Sequence, residues 1–307
     1  MNIKMILKIV KLGRLQFLIR GFLLFLFGVL LAVVSGATFG FDRFIVGYAI
    51  LFMAHLSVSY SNGCFDIDVD RYATPTFFSG GSKVLVENPE LHRFSKWLAV
   101  GLIGFSLTLA IFFIMVFSYP ATFLLFVIFG NFLGWYYTAP PIKLTYRGLG
   151  ELSTMITAGL FIPGMGYLVI MGQFDFSFVL FVIPLLLYGL AFIINVEIPD
   201  IEGDRLGNKN TFIVRKGRRV GFVVIGISLS LVTLYFFVLS LISLMPALFD
   251  FRLITMFSLI PCSLGIFSII KRPGERKLAT KLVMGNLSSL FIVILIFNFY
   301  FLFLLVL

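Results

Sequence analysis

The chain has 307 residues, of which 60% are hydrophobic and only 12% are charged, and its mean hydropathy is +1.08. An average soluble domain carries about twice that share of charged residues, so this composition excludes a soluble enzyme or a soluble binding module. The formal net charge of +10 does not indicate nucleic-acid binding, because the basic residues are divided among alternate loops instead of forming one patch. The sequence therefore predicts a polytopic membrane protein without a nucleic-acid partner.

Nine apolar segments have the length needed to cross a bilayer, which is about 20 residues. In chain order these segments are 15–35, 44–64, 97–117, 121–137, 150–170, 177–197, 220–241, 252–271 and 283–306. The first segment has full spanning length and lacks a small-residue cleavage site, so we do not expect a cleaved signal peptide. The predicted fold is an all-α polytopic membrane protein. Residues 1–307 are expected to form one integral domain, because the predicted outside loops are short.

The distribution of Lys and Arg predicts how the chain is oriented. Basic residues precede the first segment and occupy the loops after segments 2, 4, 6 and 8, whereas the alternate loops hold only Arg43 and Arg252. Cytoplasmic loops carry the excess of Lys and Arg in membrane proteins. We therefore expect a cytoplasmic N-terminus and, with an odd number of helices, a C-terminus outside the cell membrane.

Two acidic segments, residues 62–71 and 195–205, contain half of the 14 Asp and Glu residues. Each holds two aspartates four positions apart, which project from one face of a helix. The aspartates are Asp66 and Asp70 in the first segment and Asp200 and Asp204 in the second. Both segments follow helices that run in the same direction, which predicts a weak parallel repeat of helices 1–4 and 5–8. Asp68 and Glu202 are expected to point away from the two shared faces.

The acidic segments predict a magnesium site. Carboxylates near membrane depth are costly and indicate a functional site; the alternative, a pair of solvated helix ends, leaves two such pairs unexplained. Mg²⁺ prefers oxygen ligands and completes its shell with water and substrate phosphates. The predicted metal ligands and catalytic residues are Asn62, Asp66, Asp70, Asp200 and Asp204. Two metals held between the two helices would bridge a diphosphate and neutralise its charge.

Further polar residues are candidates for binding the substrates. Cations for a diphosphate are Arg20, Arg71, Lys143 and Lys209, and Asn195 and Glu197 belong to the second acidic segment. His55 is seven residues before Asn62 and is a candidate for the acceptor side, although a hydrogen bond to a neighbouring helix is an equal alternative. The alternative for most basic residues is a role in topology, which explains Arg20 and Lys143 least well because neither belongs to a basic cluster.

These residues resemble the motifs of the UbiA superfamily of intramembrane prenyltransferases. The family's first motif, N-x-x-x-D-x-x-x-D, matches Asn62, Asp66 and Asp70. Its second motif, D-x-x-x-D followed by a basic loop that ends in Lys and Thr, matches Asp200, Asp204, Lys209 and Thr211, with the departure that Asn210 stands before the Thr. The stretch from Tyr137 to Lys143 resembles the family's segment after helix 4, in which a Tyr and a Lys face the diphosphate.

The resemblance covers essentially the whole chain. It implies nine helices around a central cavity, a small cytoplasmic cap from loops 2–3 and 6–7, and an active site that faces the cytoplasm. It also implies Mg²⁺-dependent transfer of an isoprenyl group from a polyprenyl diphosphate, for example geranylgeranyl diphosphate, to a lipophilic or aromatic acceptor. Membrane lipids are expected as further partners. Residues 146–152 and 80–82 resemble most the naphthoate-prenylating, menaquinone-forming branch. The branch that alkylates geranylgeranylglyceryl phosphate for ether-lipid synthesis remains an alternative.

Two other classes of membrane protein also use carboxylates on helices. A cation exchanger or transporter places them on interrupted helices near mid-membrane, but here both acidic segments lie at one predicted face and no matching outside pair exists. Alcohol phosphatidyltransferases carry a D-G-x-x-A-R pattern, whereas here Gly63 follows Asn62 and not an Asp. A prenyltransferase is therefore the predicted function.

Overall fold

A computed structural model describes residues 3–76, 80–242, 244–245 and 248–306, and within them the protein is helical and contains no strand. The α-helices are α1 (Ile3–Leu12), α2 (Gln16–Val34), α3 (Phe41–Phe65), α4 (Ile67–Tyr72), α5 (Val84–Glu87), α6 (His92–Phe117), α7 (Ala121–Tyr136), α8 (Gly150–Ile156), α9 (Ile162–Met171), α10 (Phe176–Glu197), α11 (Ile201–Leu206), α12 (Phe212–Lys216), α13 (Arg218–Leu241), α14 (Phe251–Lys271) and α15 (Arg276–Leu304). A π-helical turn, Thr157–Phe161, joins α8 to α9, and a 3₁₀ turn, Ile198–Asp200, joins α10 to α11.

Eight helical stretches among the described residues are long and apolar enough to cross a membrane. They are Gln16–Val34, Phe41–Phe65, Pro89–Phe117, Gly150–Met171, Phe176–Leu206, Arg218–Leu241, Phe251–Lys271 and Arg276–Leu304. The all-α membrane fold predicted from the sequence is thus confirmed. The count of nine is not confirmed, because the predicted segment 121–137 forms α7, an apolar helix of 16 residues that extends only about 24 Å at 1.5 Å per residue.

The helices surround a central cavity. Residues that line it come from α2, α3, α7, α10 and α15 and from the continuous α8–α9 stretch, whereas α6, α13 and α14 contribute none of the lining residues. The three outer helices support the inner ones, since α6 packs against α3, α13 packs against α10, and α14 packs against α13 and α15. The inner helices therefore have one side on the cavity and another side on the outer helices.

Phenylalanines fill the end of the bundle far from the acidic segments. The ring of Phe27 on α2 is fully buried, and its centroid lies 5.2 Å from that of Phe301 and 5.8 Å from that of Phe181. Such aromatic contacts contribute beyond the area they bury. The cluster therefore packs α2, α10 and α15 together at that end.

A buried polar network joins α10, α14 and α15. The side-chain amide of Asn286 donates to the Oδ1 atom of Asn195 and to the hydroxyl of Ser268, at 3.0 Å each, and Asn195 donates to the carbonyl of Ala191 at 2.8 Å. Buried polar groups in a membrane interior need such partners. The structure therefore places Asn195, which we predicted to bind substrate, in a helix-packing network outside the cavity lining.

Candidate active site

The first acidic segment continues the helical path of α3 through a short interruption. α3 ends at Phe65, and α4 begins after Asp66. The amide of Asp66 donates to the carbonyl of Asn62 at 2.9 Å, and the amide of Asp70 donates to the carbonyl of Asp66 at 2.8 Å. The four-residue spacing is therefore kept, and Asn62, Asp66 and Asp70 all line the cavity. Asp68 is off this face, with a side chain that is 87% exposed.

The second acidic segment has the same plan with a tighter turn. α10 ends at Glu197, Pro199 lies in the 3₁₀ turn, and α11 follows. Glu197, Asp200 and Asp204 line the same cavity as the first segment. Glu202 is off the shared face, as predicted, and its carboxylate pairs with Arg218 at 2.5 Å.

Close packing of α4 against α11 makes the two acidic segments face each other. Gly207, which follows α11, lies against Val69 so closely that a Cβ atom at position 207 would be 2.4 Å from Val69 Cγ2 and 2.8 Å from Val69 Cα. Gly203, one turn earlier, lies against Ala73. Only small residues allow this approach of two helix backbones. The approach brings the aspartates of both segments to one end of the cavity.

Lys209 and Tyr146 bind the carboxylate of Asp66. The Lys209 ammonium lies 2.7 Å from Asp66 Oδ2 and 3.9 Å from Asp204 Oδ1, and the Tyr146 hydroxyl donates to Asp66 Oδ1 at 2.8 Å. Burial acts to lower the pKa of Lys209, but the Asp66 and Asp204 carboxylates outweigh it and hold that pKa well above its usual value. Burial and Asp66 raise the pKa of Tyr146. Lys209 therefore stays charged at neutral pH, and the Tyr146 hydroxyl stays a donor.

The loop that begins at Gly80 covers the other aspartates. The amide of Gly80 donates to Asp200 Oδ2 at 2.9 Å. Gly81 has a φ of +62°, and a Cβ atom there would lie 2.1 Å from Asp70 Oδ1. Burial and the nearby Asp66 carboxylate raise the pKa of Asp70 to about 6. Gly80 and Gly81 thus let the loop backbone touch both acidic segments.

The cavity has a volume of about 390 Å³ and joins the acidic end to an apolar interior. The apolar lining includes Leu51, Phe161, Leu185, Phe192, Ile294 and Phe297. The predicted residues that line the cavity are Asn62, Asp66, Asp70, Asp200, Asp204, Arg20, Tyr137, Lys209, Glu197 and His55. The guanidinium of Arg20 lies 5.5 Å from the ring centroid of Phe192, within the distance of a cation–π contact.

Two predicted cations lie outside this cavity. Arg71 is mostly exposed and contacts Asp68 at 3.8 Å. Lys143 lies with its ammonium 4.9 Å from the ring centroid of Tyr146. Both residues line a separate surface cavity of about 440 Å³, which Tyr146 also lines. The prediction that Arg71 and Lys143 share the site of the aspartates therefore differs from where the structure places them.

The sequence analysis did not select several residues that the structure adds to the site. Arg14 lines the cavity from the turn between α1 and α2, where its φ is +49°. Burial lowers the pKa of Arg14, and the carboxylate of Asp70 partly offsets that effect. Thr138 donates to Asn62 Oδ1 at 2.9 Å. In the sequence Arg14 is one of several basic residues before the first spanning helix, and nothing distinguishes it from residues that set the topology. Tyr146 was noted only as part of the stretch 146–152 that resembles the family.

The residues at the acidic end fit a magnesium ion that binds together with a diphosphate. Within the described part of the chain, no three His, Cys, Asp or Glu side chains form a metal cluster by themselves. Mg²⁺ does not require such a cluster, because it is usually bound through one or two carboxylates, waters and substrate phosphates. Four aspartates and the Asn62 amide oxygen around one cavity supply oxygen donors of that kind.

Comparisons with known proteins agree with this fold. A UbiA homolog from Archaeoglobus fulgidus bound to GPP and Mg²⁺ has a TM-score of 0.70 and 15% identity, with 98% of this chain and 100% of that chain covered. A UbiA homolog from Aeropyrum pernix K1 has a TM-score of 0.63 and 15% identity, with coverage of 90% and 97%. A structure of digeranylgeranylglyceryl phosphate synthase has a TM-score of 0.63 and 16% identity, with coverage of 96% and 98%.

At these identities the structural similarity shows a common fold. A search of curated proteins gave no match. The sequence model of the UbiA prenyltransferase family, in contrast, matches residues 22–295, which is most of the chain. The protein therefore belongs to the UbiA prenyltransferase family.

Proposed function

We propose that this prenyltransferase transfers an isoprenyl group from a polyprenyl diphosphate to a lipophilic, hydroxyl-bearing acceptor, with Mg²⁺ as cofactor. The observation that carries the proposal is the division of the cavity into an acidic end with Lys209 and an apolar interior. A polyprenyl diphosphate has the same division, because its head binds metal and cations while its tail is hydrocarbon. Solved UbiA homologs bound to DMAPP or GPP with Mg²⁺ share this fold, which supports the same class of donor.

Each group at the acidic end has a proposed role. Asn62, Asp66, Asp70, Asp200 and Asp204 would hold Mg²⁺, which supplies positive charge to the leaving diphosphate. Lys209 stabilises the same negative charge as the allylic C–O bond ionises, and Asp66 and Asp204 orient its ammonium. The apolar walls keep water away from the allylic cation.

Other predicted residues keep a proposed role in substrate binding where they line the cavity. Arg20 lines the cavity from α2, Tyr137 from the turn after α7, and His55 from α3. Arg71, Lys143 and Asn195 are not part of the proposal, since none of them lines this cavity.

The proposed acceptor is an aromatic quinone precursor of the naphthoate type, which makes the protein part of quinone synthesis. Residues 146–152 and 80–82 support this branch by their resemblance. A second candidate is geranylgeranylglyceryl phosphate, and it is favoured by the agreement in fold with digeranylgeranylglyceryl phosphate synthase. Both acceptors present a hydroxyl group, so the same cavity chemistry applies to each.

We further propose that the acidic end faces the cytoplasm, with the N-terminus inside and the C-terminus outside the cell membrane. The excess of Lys and Arg in alternate loops supports this orientation. Labelling of single cysteines at positions 68 and 250 from one side of intact cells tests it. Reaction of the cysteine at 250 alone with an impermeant reagent outside is expected, and the opposite pattern would refute the orientation.

The proposed reaction is tested with purified protein, Mg²⁺, labelled geranylgeranyl diphosphate and a panel of acceptors. Prenylated product and released diphosphate are expected, and both should disappear when EDTA removes the metal. Product with dihydroxynaphthoate alone assigns the naphthoate branch, whereas product with geranylgeranylglyceryl phosphate alone assigns the ether-lipid branch. Ion transport into vesicles without diphosphate release contradicts the proposal and favours an exchanger.

A further inference from the structure

Helix α1 exposes a stripe of large apolar side chains. Four residues spaced three or four positions apart lie on one face of this helix and are 41–72% exposed, namely Ile3, Ile6, Leu7 and Val10. We call them the apolar stripe of α1. The helix has 10 residues and a length of about 15 Å, about half of what a bilayer requires, so the stripe is not part of a spanning segment. A contiguous exposed apolar surface indicates an interaction site.

The opposite side of α1 fixes the helix on the rest of the protein. Leu12 is 1% exposed and belongs to a buried cluster with Tyr60 of α3 and Leu85 of α5. The Tyr60 hydroxyl also donates to the main-chain carbonyl of Ile9 at 3.2 Å. Ile9 and Leu12 lie on the face of the helix opposite to the apolar stripe. The stripe therefore points away from α3 and α5.

The contacts of α1 place it at the level where a spanning helix begins. The Lys8 ammonium donates to the side-chain oxygen of Asn88, and the spanning stretch Pro89–Phe117 starts at the next residue. Trp97, in the second turn of α6, is 62% exposed, and exposed Trp residues are typical of the boundary between the acyl chains and the headgroups. Helix α1 therefore lies close to that boundary.

Basic side chains flank the apolar stripe. Lys8 and Lys11 are exposed and three residues apart, so they lie together on the flank between the stripe and the docked side of α1. Arg93 and Lys96 are also exposed, in the first two turns of α6. The sequence of α1 contains no acidic residue. An apolar face bordered by lysines is the arrangement of a helix that lies in the interface of a membrane with anionic headgroups.

A second copy of this chain fits the apolar stripe less well than a lipid surface does. A two-fold contact between two stripes is self-complementary only in shape, because it brings the lysine flanks of both copies together. Like charges at such a contact oppose association. Lipid phosphates, in contrast, neutralise the lysines, and acyl chains cover aliphatic side chains without any need for directional hydrogen bonds.

We propose that α1 binds the surface of an anionic phospholipid bilayer. The apolar stripe lies among the outer carbons of the acyl chains, and the ammonium groups of Lys8 and Lys11 contact lipid phosphates. This inference goes beyond the proposed function, since it concerns a lipid surface and not the two substrates.

The test measures lipid contacts at position 7 in the full-length protein. An environment-sensitive fluorophore is attached to Leu7→Cys, and the unsubstituted protein, whose two cysteines are buried, serves as the labelling blank. Vesicles contain brominated phosphatidylglycerol or brominated phosphatidylcholine at equal mole fraction, and bromine quenches a fluorophore that touches the acyl chains. We expect quenching by both lipids and stronger quenching by the anionic one. The same fluorophore on Asp68→Cys, at a side chain that is 87% exposed, is the control and should not be quenched.

Removal of the lysines tests the headgroup contact. One lysine near an anionic surface changes the affinity about 5-fold, so Lys11→Gln is expected to lower the preference for phosphatidylglycerol by about that factor. Lys8→Gln/Lys11→Gln should abolish the preference. Lys216→Gln/Lys277→Gln removes the same charge at exposed positions on α12 and α15 and should leave the preference unchanged. In the protein with both lysines, added salt should weaken the preference by screening.

Several results would overturn the inference. They are absence of quenching at position 7 by either lipid, equal quenching by both lipids when the lysines are present, and an unchanged preference in Lys11→Gln. Protection of the fluorophore from brominated lipid and from aqueous iodide alike would show that a second copy or another protein segment covers the stripe, which also contradicts it.

Folding and the proposed function are controlled separately. Size-exclusion profiles report whether each variant is folded. Lys8 also bonds to Asn88, so Lys11→Gln decides if the double variant does not fold, and the salt dependence decides if neither variant folds. The experiment contains no prenyl donor or acceptor. A protein that binds anionic lipid through α1 but releases no diphosphate refutes the proposed function alone.

Discussion

The two acidic segments are each held by the loop that follows the other. Asp66 in the first segment receives the ammonium of Lys209 from the loop after α11, whereas Asp200 in the second receives the amide of Gly80 from the loop after α4. The loop contact of Asp66 carries a full charge, and the loop contact from Gly80 to Asp200 is a main-chain hydrogen bond. This difference shows that neither segment forms the site alone and that removal of one loop contact affects the opposite segment.

The two faces of the first acidic segment also differ strongly in exposure. Asp66 and Asp70 face the cavity, while Asp68 between them is 87% exposed. An exposed carboxylate contributes little energy to an ion pair, whereas a carboxylate at a reacting site controls the chemistry. Substitutions on the two faces therefore separate a catalytic role from a general effect of charge.

Removal of a cavity-facing carboxylate should have the largest effect. Asp66→Ala or Asp200→Ala is expected to lower kcat at least about 1,000-fold, the upper end for loss of one electrostatic contact to a reacting group. Release of diphosphate from labelled donor measures it in detergent-purified protein. The matched control Asp68→Ala should keep activity within about 2-fold, since surface substitutions have small effects. Equal losses at positions 66 and 68 would falsify the assignment of the two faces.

Removal of the charged loop partner should have the next largest effect. Lys209→Met is expected to weaken donor binding about 10- to 100-fold, because a hydrogen bond to a charged group contributes about 1.5–3 kcal/mol. The KM for geranylgeranyl diphosphate measures this loss. Lys216→Met, at an exposed position at the end of α12, is the control and should leave the KM unchanged. A KM that rises as much in the control indicates a general electrostatic effect instead.

Separation of the two acidic helices should have a moderate effect. In Gly207→Ala the added methyl group meets Val69 and forces α4 away from α11, which is expected to cost about 1–3 kcal/mol of stability and to lower activity with unchanged metal preference. Thermal unfolding and turnover measure both losses. Gly101→Ala on α6 is the control, since a Cβ atom there has nothing within 4 Å. If Gly207→Ala unfolds and turns over like the wild type, the close packing does not position the aspartates.

Removal of the neutral donor to Asp66 should have the smallest effect. Tyr146→Phe deletes one hydroxyl, and about 1 kcal/mol of stabilisation corresponds to a rise of several-fold in the Mg²⁺ concentration needed for half-maximal activity. Activity titrated with Mg²⁺ measures the shift. Tyr72 is an exposed tyrosine at the end of α4, and Tyr72→Phe serves as the control. If Tyr146→Phe lowers the activity more than Lys209→Met does, Tyr146 and not Lys209 is the more important partner of Asp66.

Much of the fold and of the acidic end could be predicted from the sequence. Apolar length identified the spanning helices, and the four-residue spacing put Asn62, Asp66 and Asp70 on one face because the hydrogen bonding of α3 continues past Asp66. The exception was the helix 121–137, since α7 ends at Tyr136 and is short for a bilayer. The predicted repeat of helices 1–4 and 5–8 and the single domain stay predictions.

The remaining parts of the site depend on contacts between distant segments, which spacing does not report. Lys143 follows α7 and Arg71 belongs to α4, as a site near the aspartates would require. The turn after α7 places Lys143 in the second, surface cavity, and the exposed face of α4 places Arg71 there as well. Asn195 precedes the acidic pair of the second segment, but its Oδ1 atom accepts a hydrogen bond from Asn286 on α15. Arg14 reaches the cavity through a left-handed turn that no local pattern indicated.

The central claim is that both acidic segments hold one metal–diphosphate group. The direct measurement is Mg²⁺-dependent binding of a non-hydrolysable polyprenyl thiolodiphosphate to the wild type, Asp66→Ala, Asp200→Ala and the double variant. Each single substitution is expected to remove the metal-dependent part of binding, and the double variant should lose no more than either single one, because residues that act on one ligand as a unit are not additive. Independent, additive losses, or full binding after one substitution, would show that the two segments do not share the ligand.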